Sequence, residues 1–145
     1  MWLTDGSTLV DDETALREVL TPVLVDVEET TGMGLTVELR RNVPQAEDLT
    51  CTVFPEGKSW DDFEVEPVAR ATIRLTRRNA FAEQIASAAS SIESLVTKEQ
   101  WERAGRGGWP PCQLHNHQLR PTASDGVAVW RCPSGGPDVP IGELR

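Results

Sequence analysis

The sequence is short of basic residues and of long apolar runs, and each shortage excludes a class of protein. Its 145 residues carry 14 Lys and Arg against 23 Asp and Glu, which gives a formal net charge of −9. An acidic surface repels phosphate, so we expect no binding to nucleic acid and none to an anionic membrane. No apolar run reaches the roughly 18 residues that a transmembrane helix requires. The 39% of hydrophobic residues is nevertheless enough for a folded core.

The usual signs of secretion are missing as well. The N-terminal residues Met1 to Asp5 lack the basic and apolar regions of a leader, and three cysteines cannot form a fully paired disulfide framework. In a reducing compartment thiols stay free or bind a metal. We therefore expect a cytoplasmic protein.

Motifs of the common enzyme classes are also lacking. The sequence contains no G-x-S-x-G, no H-E-x-x-H and no evident pair of catalytic carboxylates. The glycine-rich stretch 105–108 follows a helix rather than a strand, which is typical of a linker and not of a phosphate-binding loop. We therefore predict a protein that is not an enzyme.

The first part of the chain has the pattern of an amphipathic helix. From about Asp11 to Thr31 apolar residues recur at helical spacing, and acidic residues occupy the first turn, where they favour the positive end of the helix dipole. Pro22 interrupts this pattern. Either the helix kinks there, or Thr21 caps a second helix that has Pro22 at its first position.

Three segments then alternate apolar and polar residues with the period of two that is typical of strands. They are Leu35–Arg41, Leu49–Phe54 and the longer Phe63–Thr76. Short, turn-rich linkers separate them, which favours an antiparallel meander with one solvated face. A second helix follows near Asn79, and Thr97 to Gln100 reads as a capping box that opens a short third helix.

These elements predict an α+β fold. A three-stranded antiparallel meander carries helices on one face in the order α-β-β-β-α, and a small β-hairpin follows at the C-terminus. We expect residues 1–104 to form the core domain. Residues 105–145 would form a Gly linker and a Cys/His-containing hairpin appendage, which packs on that domain because it has too few apolar residues for its own core.

Residues that can hold a metal are concentrated in this appendage. Cys112 and His115 have the C-x2-H spacing that places two zinc ligands on one small loop. Cys132 ends a predicted strand, and His117 is a candidate for the fourth ligand. The sequence therefore predicts a structural Zn²⁺ site made of Cys112, His115, His117 and Cys132, which would supply stability that so small a segment cannot draw from apolar burial.

This pattern resembles a zinc ribbon. Cys-x-x-His, a hairpin and then Trp-x-Cys-Pro-x-Gly match it over about residues 109–136, where the usual form has two Cys-x-x-Cys knuckles. The resemblance places Cys112, His115 and Cys132 at ligand positions and Gly135 at the fourth. Either His117 replaces the fourth ligand, or the ribbon has lost its metal and kept its shape. The tail is also similar to that of small proteins from high-GC bacteria, which implies no activity.

Other interpretations of the same residues stay open. Cys112 and Cys132 are also compatible with reduced thiols that pack as small hydrophobic groups, or with a disulfide in an oxidising compartment. A metal-dependent or Cys/His-based enzyme centred on Cys112, His115 and His117 is a further alternative. It would need an open coordination position or an orienting third group.

The sequence thus predicts a small acidic binding or adaptor protein. It would hold a protein partner, or a second copy of itself, on the polar face of the sheet or on the hairpin. The α-β-β-β-α order also resembles that of small secretion-chaperone-like proteins, which implies a protein-binding dimer as an alternative.

Overall fold

The computed structural model describes residues 2–4, 10–39, 48–63, 69–105, 107–115 and 117–145. It confirms the predicted α+β class. The elements in chain order are β1 (Trp2–Thr4), α1 (Val10–Thr31), β2 (Leu35–Leu39), β3 (Asp48–Pro55), α2 (Trp60–Phe63), β4 (Ala71–Thr76), α3 (Phe81–Ala104), β5 (Arg120–Ser124), β6 (Val127–Arg131) and β7 (Val139–Pro140).

Helix α1 buries the apolar stripe that its sequence spacing predicts. The helix is continuous through Pro22, so the proline lies inside one helix and does not start a second one. Three acidic residues in the first turn favour the N-terminal end of the helix dipole. The fully buried side chains of the stripe are those of Leu16, Val19, Leu20, Val23 and Val27.

The first sheet has four strands in the order β1-β2-β3-β4. Strands β2, β3 and β4 pair with their neighbours in antiparallel fashion, whereas β1 pairs parallel to β2 and places Trp2 opposite Val37. The prediction of a three-stranded, entirely antiparallel sheet was therefore wrong. Strand β1 was missed because three residues are too few to show a period of two, and α1 supplies the crossover that a parallel pair needs.

The long strand predicted over Phe63–Thr76 was also wrong at its N-terminal end. Phe63 belongs to the short helix α2, and β4 begins only at Ala71. Residues 64–68, which the same prediction covered, lie outside the described residues, as do Arg40 and Arg41 of the first predicted strand. Within β4 the predicted alternation is present, since Ala71, Ile73 and Leu75 are buried.

Helix α3 is one helix and not the two that the sequence suggested. It continues through the expected capping box and ends at Gly105, whose left-handed backbone (φ +66°) lets its N–H donate to the Trp101 carbonyl. The Thr97 hydroxyl caps no helix. Its Oγ1 instead accepts a hydrogen bond of 3.0 Å from the backbone N–H of Trp109 and so anchors the segment that follows α3.

The C-terminal residues form a second, antiparallel sheet in the order β5-β6-β7. Strands β5 and β6 are joined by a tight turn in which Asp125 and Gly126 both have positive φ, as a two-residue hairpin of type I′ requires. Strand β7, which pairs with β6 through Val139 and Pro140, was not expected because it has only two residues.

The second sheet shares one hydrophobic core with α1 and α3. Trp109 and Trp130 are both fully buried, and their rings meet edge to face with centroids 5.3 Å apart. The indole N–H of Trp109 donates to the Thr30 hydroxyl of α1 at 2.9 Å. The C-terminal segment is thus fixed to the helices by buried aromatic packing and by specific hydrogen bonds.

One buried carboxylate connects α1 with the end of the chain. Asp26 is 0% exposed and accepts hydrogen bonds from the Trp130 indole at 2.8 Å and from the backbone N–H groups of Gly142 at 2.7 Å and Leu144 at 2.9 Å. Burial raises the pKa of Asp26, while the three N–H donors pull it down. A buried carboxylate that accepts three hydrogen bonds fixes how α1 packs against the C-terminal segment.

We expect Asp26→Asn to lower the free energy of unfolding by about 3 kcal/mol, because the amide N–H group that replaces one carboxylate oxygen faces at least one buried N–H donor and leaves it without an acceptor. Thermal or urea denaturation measures the change.

The matched control is Asp138→Asn, which removes an exposed carboxylate that pairs with Arg131 at 2.8 Å. Since exposed ion pairs contribute little, this variant should unfold almost as the parent does. Equal effects of the two substitutions would contradict the role assigned to Asp26.

Candidate metal centre

The loop that carries Cys112, His115 and His117 is closed by backbone hydrogen bonds. Cys112 N–H donates to the His117 carbonyl at 2.8 Å, and Leu119 N–H donates to the Pro110 carbonyl at 2.7 Å. Pro111 and Gln118 form an isolated β-bridge between the two sides. The two ends of the loop therefore lie side by side, and its N-terminal end directly follows buried Trp109.

Cys132 comes from a different element. It directly follows β6, two residues after buried Trp130, and is itself only 6% exposed. The chain turns there, since Gly135 N–H donates to the Cys132 carbonyl at 3.0 Å. Gly135, which the expected zinc-ribbon pattern would place at the fourth ligand position, has a φ of +94°. Glycine suits this backbone and contributes no ligand atom.

The fold brings three of the four predicted ligands together. Ligand atoms of Cys112, His115 and Cys132 all lie within 4.8 Å of one another and can hold a metal ion. His115 Nδ1 lies 3.5 Å from Cys112 Sγ and 3.3 Å from Cys132 Sγ. Zinc bonds of about 2.3 Å to sulfur and about 2.0 Å to nitrogen, at the tetrahedral angle, separate those atoms by about 3.5 Å.

The donor set fits zinc better than a set of hydrogen bonds between neutral side chains. Nδ1 of a neutral imidazole carries either one N–H or one lone pair, so it forms one good hydrogen bond to a sulfur in either tautomer. Here two sulfurs face the same nitrogen at nearly equal distances. One metal ion bonded to all three atoms accounts for both short distances at once, and two thiolates with one imidazole are ligands that zinc prefers.

His117 lies outside this group. Its side chain is exposed, and its ring centroid is 6.3 Å from that of His115. Asn116, between the two histidines, is not among the described residues. Of the four predicted ligands, His117 is therefore the one whose side chain is not part of the Cys112, His115 and Cys132 group.

Exposure differs across the centre. Cys132 is buried, Cys112 is partly buried and His115 is exposed. The side of the site that Cys132 supplies is thus formed by the protein interior, and the side that His115 supplies faces solvent. A metal held here would lie at the surface of the protein.

Local hydrogen bonds also distinguish the thiols. The backbone N–H of Leu114 stabilises the thiolate of Cys112 and, with smaller contributions from the side chain and backbone N–H of His115, lowers the pKa of that thiol to about 7. Cys51, on the apolar face of β3, is 3% exposed, and burial raises the pKa of its thiol to about 12. Only the first of these environments favours the deprotonated form that binds metal.

Asp26, which positions β6 and the turns beyond it, was not recognised in the sequence. A signal for it was present. Asp26 follows Val19 and Val23 at the spacing of the buried face of α1 and precedes Val27, so an acidic residue falls within an otherwise apolar stripe. A carboxylate at such a position requires buried donors elsewhere in the chain.

Comparisons of the chain with family models, with curated proteins and with solved structures find no match. Among the described helices, none combines the length and the apolar character needed to cross a membrane. A functional assignment therefore depends on the geometry of the Cys112, His115 and Cys132 group.

We expect thiol alkylation of the metal-free protein to follow the order Cys112, then Cys132, then Cys51. At pH 7 about half of the Cys112 thiol is ionised, whereas Cys132 is shielded by burial and Cys51 by burial and a raised pKa. Timed labelling with iodoacetamide, followed by peptide mass spectrometry, measures the order.

The rate at Cys112 should rise with pH and level off above about pH 8, roughly one unit past its pKa of about 7. In denaturant all three cysteines should react at similar rates. Labelling of Cys51 before Cys112 in the folded protein would contradict the assigned environments.

Proposed function

We propose that the protein is a non-catalytic, zinc-binding adaptor, in which the metal fixes the loop that contacts a protein partner. The observation that carries this proposal is the approach of two sulfurs, from Cys112 and Cys132, to one nitrogen of His115 at 3.5 and 3.3 Å. The three residues come from two separate turns. A zinc ion here cross-links those turns in a segment that has little apolar material of its own.

His117 is proposed as the fourth ligand. Its carbonyl is held at 2.8 Å from Cys112 N–H, so its side chain starts from the same closed loop as two other ligands. Rotation of an exposed imidazole about its side-chain bonds meets little steric resistance, in contrast to a movement of buried Cys132. With His117 bound, zinc has four protein ligands, which is typical of structural sites.

A structural role is supported by what surrounds the ligands. Catalytic zinc needs an open coordination position and a nearby acid or base. Among the described residues, the group of ligand atoms includes no Asp or Glu. The alternative of a metal-dependent or Cys/His-based enzyme at Cys112, His115 and His117 stays a prediction, favoured only if His117 proves not to bind the metal.

The adaptor part of the proposal is supported by the loop itself. Leu114, between Cys112 and His115, is 71% exposed although leucine is an apolar side chain. A metal that orders this loop would hold Leu114 in one position and so lower the entropic cost of a protein contact. A cytoplasmic location, the absence of nucleic-acid partners and a chaperone-like dimer remain predictions from the sequence.

We expect one zinc ion per chain in protein purified without chelator, and loss of that zinc in Cys112→Ser, His115→Gln and Cys132→Ser. Cys51→Ser, which changes a thiol outside the group, is the control and should keep its metal. Elemental analysis gives the stoichiometry, and the melting temperature before and after chelation gives the stabilisation.

The variant His117→Gln tests the fourth ligand. If His117 binds, zinc affinity should fall by at least about tenfold, and the Co²⁺ absorption spectrum should shift because water replaces an imidazole ligand. Unchanged affinity with a metal-bound water would favour the catalytic alternative. Wild-type protein that binds no zinc, and whose melting temperature is insensitive to Cys112→Ser, would contradict the metal centre in both forms.

A further inference from the structure

We propose that Cys112 and Cys132 are also a peroxide-sensitive thiol pair, which closes to an intramolecular disulfide when the centre carries no metal. The inference deepens the proposed function, because it names the regulation of the same site. The disulfide itself requires only the two thiols, whereas its consequence, the loss of zinc binding, depends on the metal centre.

The position of the two sulfurs carries the proposal. Both belong to free cysteines and lie within 4.8 Å of each other, and a disulfide requires them to approach to about 2.05 Å. They come from turns 20 residues apart in sequence, yet both turns are fixed to the same buried tryptophans. Cys112 is three residues after Trp109, and Cys132 is two residues after Trp130. The fold therefore holds the two thiols together without any covalent link.

The different solvent exposure of Cys112 and Cys132 indicates which thiol reacts first with the oxidant. Cys112 lies on the accessible side of the centre, where a small oxidant reaches it first, and Cys132 lies beneath it at 6% exposure. The third cysteine, Cys51, belongs to the core of the first sheet. A buried thiol next to an accessible one is the arrangement of a resolving and an attacking cysteine.

The reaction needs one equivalent of hydrogen peroxide as the oxidant. Cys112 Sγ attacks one peroxide oxygen, the O–O bond breaks, and the departing hydroxide takes the thiol proton and leaves as water. The product is a sulfenic acid on Cys112. Cys132 Sγ then attacks Cys112 Sγ, the S–S bond forms, the S–O bond breaks, and hydroxide leaves as a second water with the proton of Cys132. Two thiols lose two electrons and the peroxide gains them.

A disulfide removes both thiolates from the ligand set at once. His115 and His117 alone are too few to hold zinc in a tetrahedral site. Bound zinc in turn draws electron density from one lone pair of each sulfur and so makes the sulfur a weaker nucleophile toward peroxide. Oxidation and metal binding are therefore mutually exclusive states of this centre.

The test uses the full chain, reduced and freed of metal, with one equivalent of hydrogen peroxide. We expect the intact mass to fall by about 2 Da, the mass of two hydrogens, and dithiothreitol to restore it. Non-reducing peptide mapping should place the bond between Cys112 and Cys132. In Cys132→Ser the reaction should stop at a sulfenic acid on Cys112, which dimedone traps. Cys51→Ser should behave as the wild type does.

Wild-type protein that yields only sulfenic or sulfinic acid, an intermolecular link, or a bond to Cys51 would overturn the thiol pair. A different outcome would contradict the proposed zinc-binding function. If the disulfide forms but the reduced protein binds no zinc, the metal centre is wrong and the thiol pair stands. If zinc slows oxidation at least about tenfold, both are supported.

Discussion

The buried carboxylate of Asp26 is the contact on which the arrangement of the C-terminal half depends. It accepts three hydrogen bonds at 2.7 to 2.9 Å, and all three donors belong to residues more than a hundred positions later in the chain. Apolar packing of Trp109 and Trp130 supplies area but little directional preference. The hydrogen bonds of the carboxylate are directional, and they connect it to Trp130 of β6 and to the turn at Gly142.

The position of β6 also determines where the candidate metal ligand Cys132 lies. Cys132 follows β6 directly, so whatever fixes Trp130 also fixes the sulfur two residues later. Cys112 is positioned by a second set of contacts, since the Trp109 indole N–H donates to the Thr30 hydroxyl of α1 and the Trp109 backbone N–H donates to the Thr97 hydroxyl of α3. The two loops meet because they lie at the same end of the β5–β6 hairpin, where Arg120 pairs with Arg131, and because each is also anchored to the helices. Sites supported in this way tolerate changes in the loops better than changes beneath them.

The sequence predicted what depends on periodicity and missed what depends on distant partners. The buried stripe of α1 and the alternation within β4 follow from spacing, and the grouping of Cys112 with His115 and Cys132 was expected from zinc-ligand residue types and the zinc-ribbon resemblance. Strands β1 and β7 are too short to show a period, and each exists because a longer neighbour pairs with it. The joining of two predicted helices into α3 was missed for a related reason, since the Thr97 hydroxyl serves a tertiary contact instead of a cap. The position of His117 relative to the other ligands is a matter of side-chain rotation, which residue spacing does not encode.

The long separation between Asp26 and its donors has a consequence for how the chain folds. Closing loops of this length carries a large entropic cost and tends to occur late, after local helices and the antiparallel strands have formed. During synthesis α1 is complete long before Gly142 and Leu144 exist. Until then the carboxylate of Asp26 stays hydrated on a helix face that is otherwise apolar. We therefore expect the C-terminal strands to dock on Asp26 only after the first sheet, α1 and α3 have formed.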